Sequence, residues 1–161
     1  MKRWRGWLAL APLAVAVAVT YTQRDRIAFE LGYAHASGDF HGWTLTRDDA
    51  QAARWLRLAA EAGHARAQYM LGLNTSRGWG VHQDDAVAER WFNRAADQGY
   101  AQACYHLAWM YHKGEGVARD EARALRLMAR AADLGMAEAD AALARFRRGA
   151  SGRRAASGAG G

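Results

Sequence analysis

Six histidines, one cysteine and four serines are the residues of this 161-residue chain whose types suit catalysis or metal binding. Zinc needs ligands that converge, as two histidines one helical turn apart do. His64 and His82 stand alone, and the nearest pairs, His35/His41 and His106/His112, are six residues apart, about 600° around a helix, so they do not share a face. Cys104 can neither close an internal disulfide nor begin a thiolate zinc site. As a nucleophile it would need a base and oxyanion donors that no motif announces. Ser37, Ser76, Ser151 and Ser157 lack the GxSxG surroundings of a nucleophile elbow. Gly78-Trp79-Gly80 follows no strand and precedes no lysine, so it is no phosphate loop. Asp48-Asp49 and Asp84-Asp85 imitate paired carboxylates, but their recurrence at a fixed step argues for helix starts. No catalytic residue, metal or cofactor is expected.

The elements that carry these residues repeat. Gly63, Gly99 and Gly135 are 36 residues apart, as are Asp48, Asp84 and Asp120, and Ala59-Ala60, Ala95-Ala96 and Ala131-Ala132. Gly78/Gly114, Leu71/Leu107 and Trp55/Trp91/Leu127 keep the same step. A period of this length marks a solenoid.

Each copy reads as two helices. The second starts at the aspartate, an N-cap followed by another acid where the helix dipole favours negative charge, and stops at the glycine, which suits a C′ position. Its apolar stripe runs through Ala52/Ala88/Ala124, Trp55/Trp91/Leu127 and the alanine pair. Gln51, three residues after Asp48, has the spacing of a capping box. The first helices run from near Arg26, from about Ala65 to Ser76, and from about Ala101 to His112. Gly32 and Gly72 inside them, with Ala108 at the equivalent place, read as sites of close helix approach. Copy one is four residues longer, and the extra residues fall in Ser37 to Gly42, beside an exposed Trp43. After Gly135 a lone helix, Met136 to about Arg147, reads as the terminal cap a solenoid needs. Residues 148–161 are glycine-, serine- and arginine-rich and read as a disordered basic tail.

The net charge of +6 resides in the ends. Residues 1–26 and 145–161 each carry five basic side chains against one acid between them, while the body is net acidic. That distribution removes the basis for a folded nucleic-acid-binding surface. Lys2, Arg3 and Arg5 precede an apolar run from Trp7 to Val19, and Ala16-Val17-Ala18 offers a small-x-small cleavage pattern. Residues 1–25 therefore read as a signal peptide or an uncleaved transmembrane anchor. The short span has Trp4, Trp7 and Tyr21 at its edges, which suits membrane association through residues 7–21. Either reading sends the body across the membrane, which for a bacterial cell means the periplasm, soluble after cleavage or held at the inner membrane.

Residues 26–147 resemble the Sel-one-like repeat family, a 36-residue relative of the tetratricopeptide repeat. The resemblance rests on Leu31, Gly32, Trp55 and Gly63 in copy one, on Leu71, Gly72, Asp84, Trp91 and Gly99 in copy two, and on Leu107, Asp120 and Gly135 in copy three. Copy two has Thr75 where the motif has tyrosine, and copy three has Leu127 for the tryptophan. The resemblance implies an all-α fold, a right-handed alpha-alpha superhelix of about three helix-turn-helix repeats plus a capping helix, that holds other proteins in envelope assembly or signalling. The chain is unlike the cysteine-rich branch of that family, because Cys104 is its one cysteine.

A partner, protein or peptide, would be read by the first helices. Phe29, Tyr69 and Tyr105 read as core, while Tyr33, Leu73 and Trp109 lie outside the motif and suit either core or contact. Between the stripes lies a column that changes chemistry from copy to copy: Glu30, Met70 and His106, then Arg77 and Lys113. Tyr33, Met70, Leu73, Arg77, His106, Trp109 and Lys113 are the protein-binding candidates. The expected function is a non-catalytic scaffold or adaptor of the cell envelope. The alternative is an obligate structural or regulatory subunit of an envelope complex, and behind it an envelope hydrolase.

Overall fold

The computed structural model describes residues 23–40, 43–44 and 47–158, with side chains for 23–38 and 47–148. The described helices are α1 (Arg24–Ser37), α2 (Asp49–Glu61), α3 (Ala65–Arg77), α4 (Asp85–Asp97), α5 (Ala101–Lys113), α6 (Glu121–Asp133) and α7 (Ala137–Gly158). Consecutive helices pack as hairpins, α1 on α2, α3 on α4 and α5 on α6, and each hairpin stacks on the next. This is an all-α solenoid of three hairpins and a capping helix.

The repeated residues make the repeated joints. Asp48 Oδ1 accepts from the backbone N–H groups of Ala50 and Gln51, both at 3.0 Å, Asp84 Oδ1 from Val87 at 2.9 Å, and Asp120 Oδ1 from Arg123 at 2.8 Å. The N–H of Asp48 donates to the His35 carbonyl at 3.1 Å, so it is bound to α1 instead of receiving the Gln51 side chain of a capping box. Asp84 and Asp120 make the same bond to Thr75 and Tyr111, both at 3.0 Å. Nine residues separate donor and acceptor in copies two and three, and thirteen in copy one. The four extra residues are therefore absorbed without moving the joint. The longer connection carries a short antiparallel ladder of β1 (Asp39–Phe40) and β2 (Trp43–Thr44), paired Asp39 with Thr44 and Phe40 with Trp43. Helical periodicity carried no sign of this ladder.

The second helices end alike. Gly63, Gly99 and Gly135 adopt φ of 98°, 80° and 86°. Gly63 N–H donates to the Ala60 carbonyl at 3.1 Å and His64 N–H to Ala59 at 3.0 Å, the paired bonds of a Schellman motif, and the other two copies repeat them. The same His64 then caps α3, its Nδ1 accepting from the Ala67 N–H at 3.2 Å.

The core follows the hairpins. Leu56, Phe92 and Met128 are fully buried at equivalent places, between Ala52/Ala88/Ala124 and Ala59/Ala95/Ala131. The buried stripe is thus i, i+4, i+7, one residue away from Trp55, Trp91 and Leu127, which are half-buried. Leu31 is half-buried, whereas Leu71 and Leu107 are fully buried. A Cβ at Gly32 would stand 2.9 Å from the backbone nitrogen of Leu56, so α1 and α2 meet there at close range. The loop glycines Gly80 and Gly116 lie so close to Asp49 and Asp85, at the starts of α2 and α4, that a Cβ on either would collide with them. Each loop is thereby keyed to the preceding copy.

Helix α7 buries Ala139, Ala142, Leu143 and Phe146 and continues to Gly158, past the end near Arg147 suggested by the sequence. The expectation of a transmembrane helix is corrected: among the described residues no helix is long and apolar enough to cross a membrane. The apolar run at residues 7–19, on which that expectation and the signal-peptide reading rested, lies outside the described residues.

Candidate functional site

Three of the sequence candidates, His106, Trp109 and Lys113, fall at i, i+3, i+7 on α5 and therefore on one face. They line an open cleft of about 440 Å³ between the second and third hairpins, opposite Ser76 of α3 and Phe92 of α4. The rim is polar: Gln83 and Asp85 enter from the preceding loop and helix start, and Lys113 Nζ lies 3.3 Å from Glu115 Oε1.

The floor is aromatic. His106 stacks on the Phe92 ring with centroids 5.6 Å apart and lies 5.5 Å from that of Tyr69. Burial, with Arg77 adding a smaller repulsion, holds the His106 imidazole below its ordinary 6.5, favouring the neutral form. Trp109 sits edge-on to Tyr105 and to Phe146 of α7, at 6.3 and 5.0 Å, with the Lys113 ammonium 5.9 Å from its ring centre. Trp109 therefore combines the two roles open to it, holding the cap with one edge while lining the cleft.

The other candidates lie elsewhere. Met70 is half-buried against the core of the first two hairpins, and Leu73 against that of the second and third. Tyr33 is 42% exposed, with the Arg66 guanidinium 5.3 Å over its ring. Arg77 leans over Trp79 at 4.5 Å. Phe29 is buried, whereas Tyr69 and Tyr105 are half-buried, so two of the three residues read as core also reach the first-helix face.

Phe92 lines the cleft without having been singled out by the sequence reading, and Trp79 is an exposed aromatic ring outside the cleft. Trp79 is 40% exposed, between Arg77 and Arg47, whose guanidinium is 5.7 Å from the ring. Its signal was a large aromatic ring in a Gly-x-Gly turn where copy three has Glu115. Phe92 was hidden by the adjacent motif tryptophan.

Cys104 is fully buried, and burial pushes its thiol up, which disfavours the reactive thiolate. Among the described residues no group of three or more His, Cys, Asp or Glu side chains is placed to hold a metal ion.

Stacked helical hairpins with Schellman joints at a constant period define the class as an α-solenoid of short repeats. The chain belongs to the Sel1 repeat family, whose repeat matches residues 28–64, 65–100 and 101–136. Among solved structures it is similar to the Sel1 repeat protein from Oxalobacter formigenes, at 30% identity over 77% of this chain and 48% of that one, with a TM-score of 0.70. It is also similar to c5321, a protective antigen present in uropathogenic Escherichia coli strains displaying an SLR fold. That match has 37% identity over 76% of this chain and 26% of the other, with a TM-score of 0.65. This chain thus spans about half and about a quarter of the lengths of these two relatives. Helicobacter pylori cysteine rich protein B shares the fold, with 20% identity over 80% of this chain and 95% of that one and a TM-score of 0.61. No curated protein matches the chain.

Proposed function

We propose that this chain is a non-catalytic scaffold that holds a segment of a protein partner on its first-helix face, outside the cytoplasm. The observation that carries the reading is the cleft between α3 and α5. Its floor joins the buried Phe92 ring to the half-buried His106 and Trp109, and its polar rim is open. Rigid aromatic side chains in such a setting supply much of the energy of protein interfaces. His106, Trp109 and Lys113 line the cleft, while Arg77, Leu73, Met70 and Tyr33 extend the face toward the first copy. Membership of the Sel1 repeat family supports a protein-binding role. The basic residues before the apolar run support export, with residues 1–25 as the export signal.

A photoreactive residue placed at Lys113, beside one placed at Arg90 on the second-helix side, tests the face in intact cells. Crosslinks to a discrete partner from position 113 and none from position 90 are expected. Equal crosslinking from both would overturn the assignment of the face. A C-terminal reporter active only outside the cytoplasm tests export, and activity confined to a cytoplasmic reporter would reject it.

A further inference from the structure

The first hairpin ends the described solenoid, and its outward face is more apolar than the repeat requires. Ile27 is 50% exposed and Leu58 44%. One and two copies later the residue at the place of Ile27 is Ala67 and Ala103, both fully buried, and the residue at the place of Leu58 is Arg94 and Arg130, both exposed. With Ala28 and Trp55 these two line an open cleft of about 460 Å³. The matching face of the second hairpin, Ala67, Leu71 and Trp91, packs on the first hairpin. The cleft is therefore a stacking face without a described hairpin before it, widened by two large apolar side chains.

The molecule itself indicates what fits there. At the other end α7 turns Asp140, Arg145, Arg147 and Arg148 outward, so a head-to-tail contact would set Ile27 and Leu58 against charge. Arg24 and Glu61 flank the apolar cleft, and neither makes an ion pair among the described residues. In an isologous contact each residue meets its partner reciprocally, so Arg24 of one copy faces Glu61 of the other, twice, around a shared apolar centre. We infer that two copies of this chain associate through the α1–α2 face as a closed two-fold dimer, leaving the α3–α5 cleft open on each.

Light scattering on the full chain, purified in a non-ionic detergent, tests this. The wild type is expected at the mass of two chains. Leu58→Arg restores the residue type of the internal copies, so it should melt like the wild type and weaken the dimer by about tenfold or more. Ile27→Ala, which copies Ala67 and Ala103, should weaken it less and decides the matter if the arginine variant does not fold. Arg24→Glu should also dissociate the dimer, and Arg24→Glu with Glu61→Arg should restore it. A monomeric wild type, a dimer indifferent to both apolar changes, or a charge swap that restores nothing would overturn the inference. None of these outcomes bears on crosslinking from Lys113.

Discussion

Gly72 touches the ring of Phe92: a Cβ at residue 72 would stand 2.7 Å from ring carbon Cε1, closer than two carbons approach. Phe92 is only 2% exposed, with the His106 ring stacked on it and Tyr69 beside it, so its ring can shift only by disturbing both. Gly72→Ala is therefore expected to destabilise the domain by about 1–3 kcal/mol, even though alanine is the better helix former. Phe92→Ala opens a cavity between α3 and α4 and should cost about 3–5 kcal/mol. Trp91→Ala should cost clearly less, because Trp91 is half-buried and the Arg94 guanidinium lies 4.7 Å over its ring. Denaturant midpoints of the three variants check the order, and a Trp91 loss equal to that of Phe92 would refute it.

That pair also shows how far the sequence could be read. The aspartates and glycines act through local backbone geometry, caps and Schellman turns, which depends on residue type and spacing alone. Trp91 and Phe92 are adjacent, 100° apart around the helix, and both are large and apolar. The neighbouring hairpin decides which one faces inward. The ladder in copy one was illegible for a related reason, since a two-residue pairing leaves no periodic signal. His106, Trp109 and Lys113 were legible as a face, whereas their division from Met70 and Leu73 depends on how hairpins stack. Trp109 needed Phe146, 37 residues later, to show that it also anchors the cap.

Tyr111 is expected to control alkaline stability. Its hydroxyl donates to Glu89 Oε1 at 2.5 Å, while Arg123 lies 4.2 Å over its ring. Burial, then the hydrogen bond to Glu89 and its charge, raise Tyr111 to about 12 from its ordinary 10.0, against a lowering by Arg123. The unfolded chain therefore loses this proton first. The stabilisation is complete below pH 10 and is lost as pH rises toward 12. Tyr111→Phe should cost about 1–3 kcal/mol at neutral pH and remove part of the alkaline loss. Thermal melts from pH 8 to 11 check this, and an unchanged alkaline slope in the variant would refute it.

His106 acts at the opposite end of the pH range. Its folded value lies below the ordinary 6.5, through burial first and Arg77 second, so the unfolded chain takes up the proton more readily. Stability is then highest above pH 6.5 and declines as pH falls from there toward the folded-state value. His106→Gln has no such proton and should show a shallower fall in melting temperature between pH 7 and pH 5. Parallel slopes for variant and wild type would show that His106 carries none of the acid sensitivity.

The cleft makes a separable prediction, because its residues differ in what else they hold. Trp109 leans on Phe146, so Trp109→Ala should lower the melting temperature by loosening α7 and should weaken binding at the same time. Lys113 is exposed and its pair with Glu115 is a surface one, so Lys113→Ala should leave the melt within a degree or two. If a partner sits in the cleft, Lys113→Ala with Gln83→Ala should reduce partner affinity several-fold with the fold intact. A control with Arg153 and Arg154 both changed to alanine leaves the cleft untouched and should bind as the wild type does. Titration of the crosslinked partner, once purified, against the wild type and the four variants separates the cases. A cleft variant that binds normally beside a tail variant that does not would place recognition on the basic C-terminal segment, where the contact would weaken with added salt as a purely ionic one does.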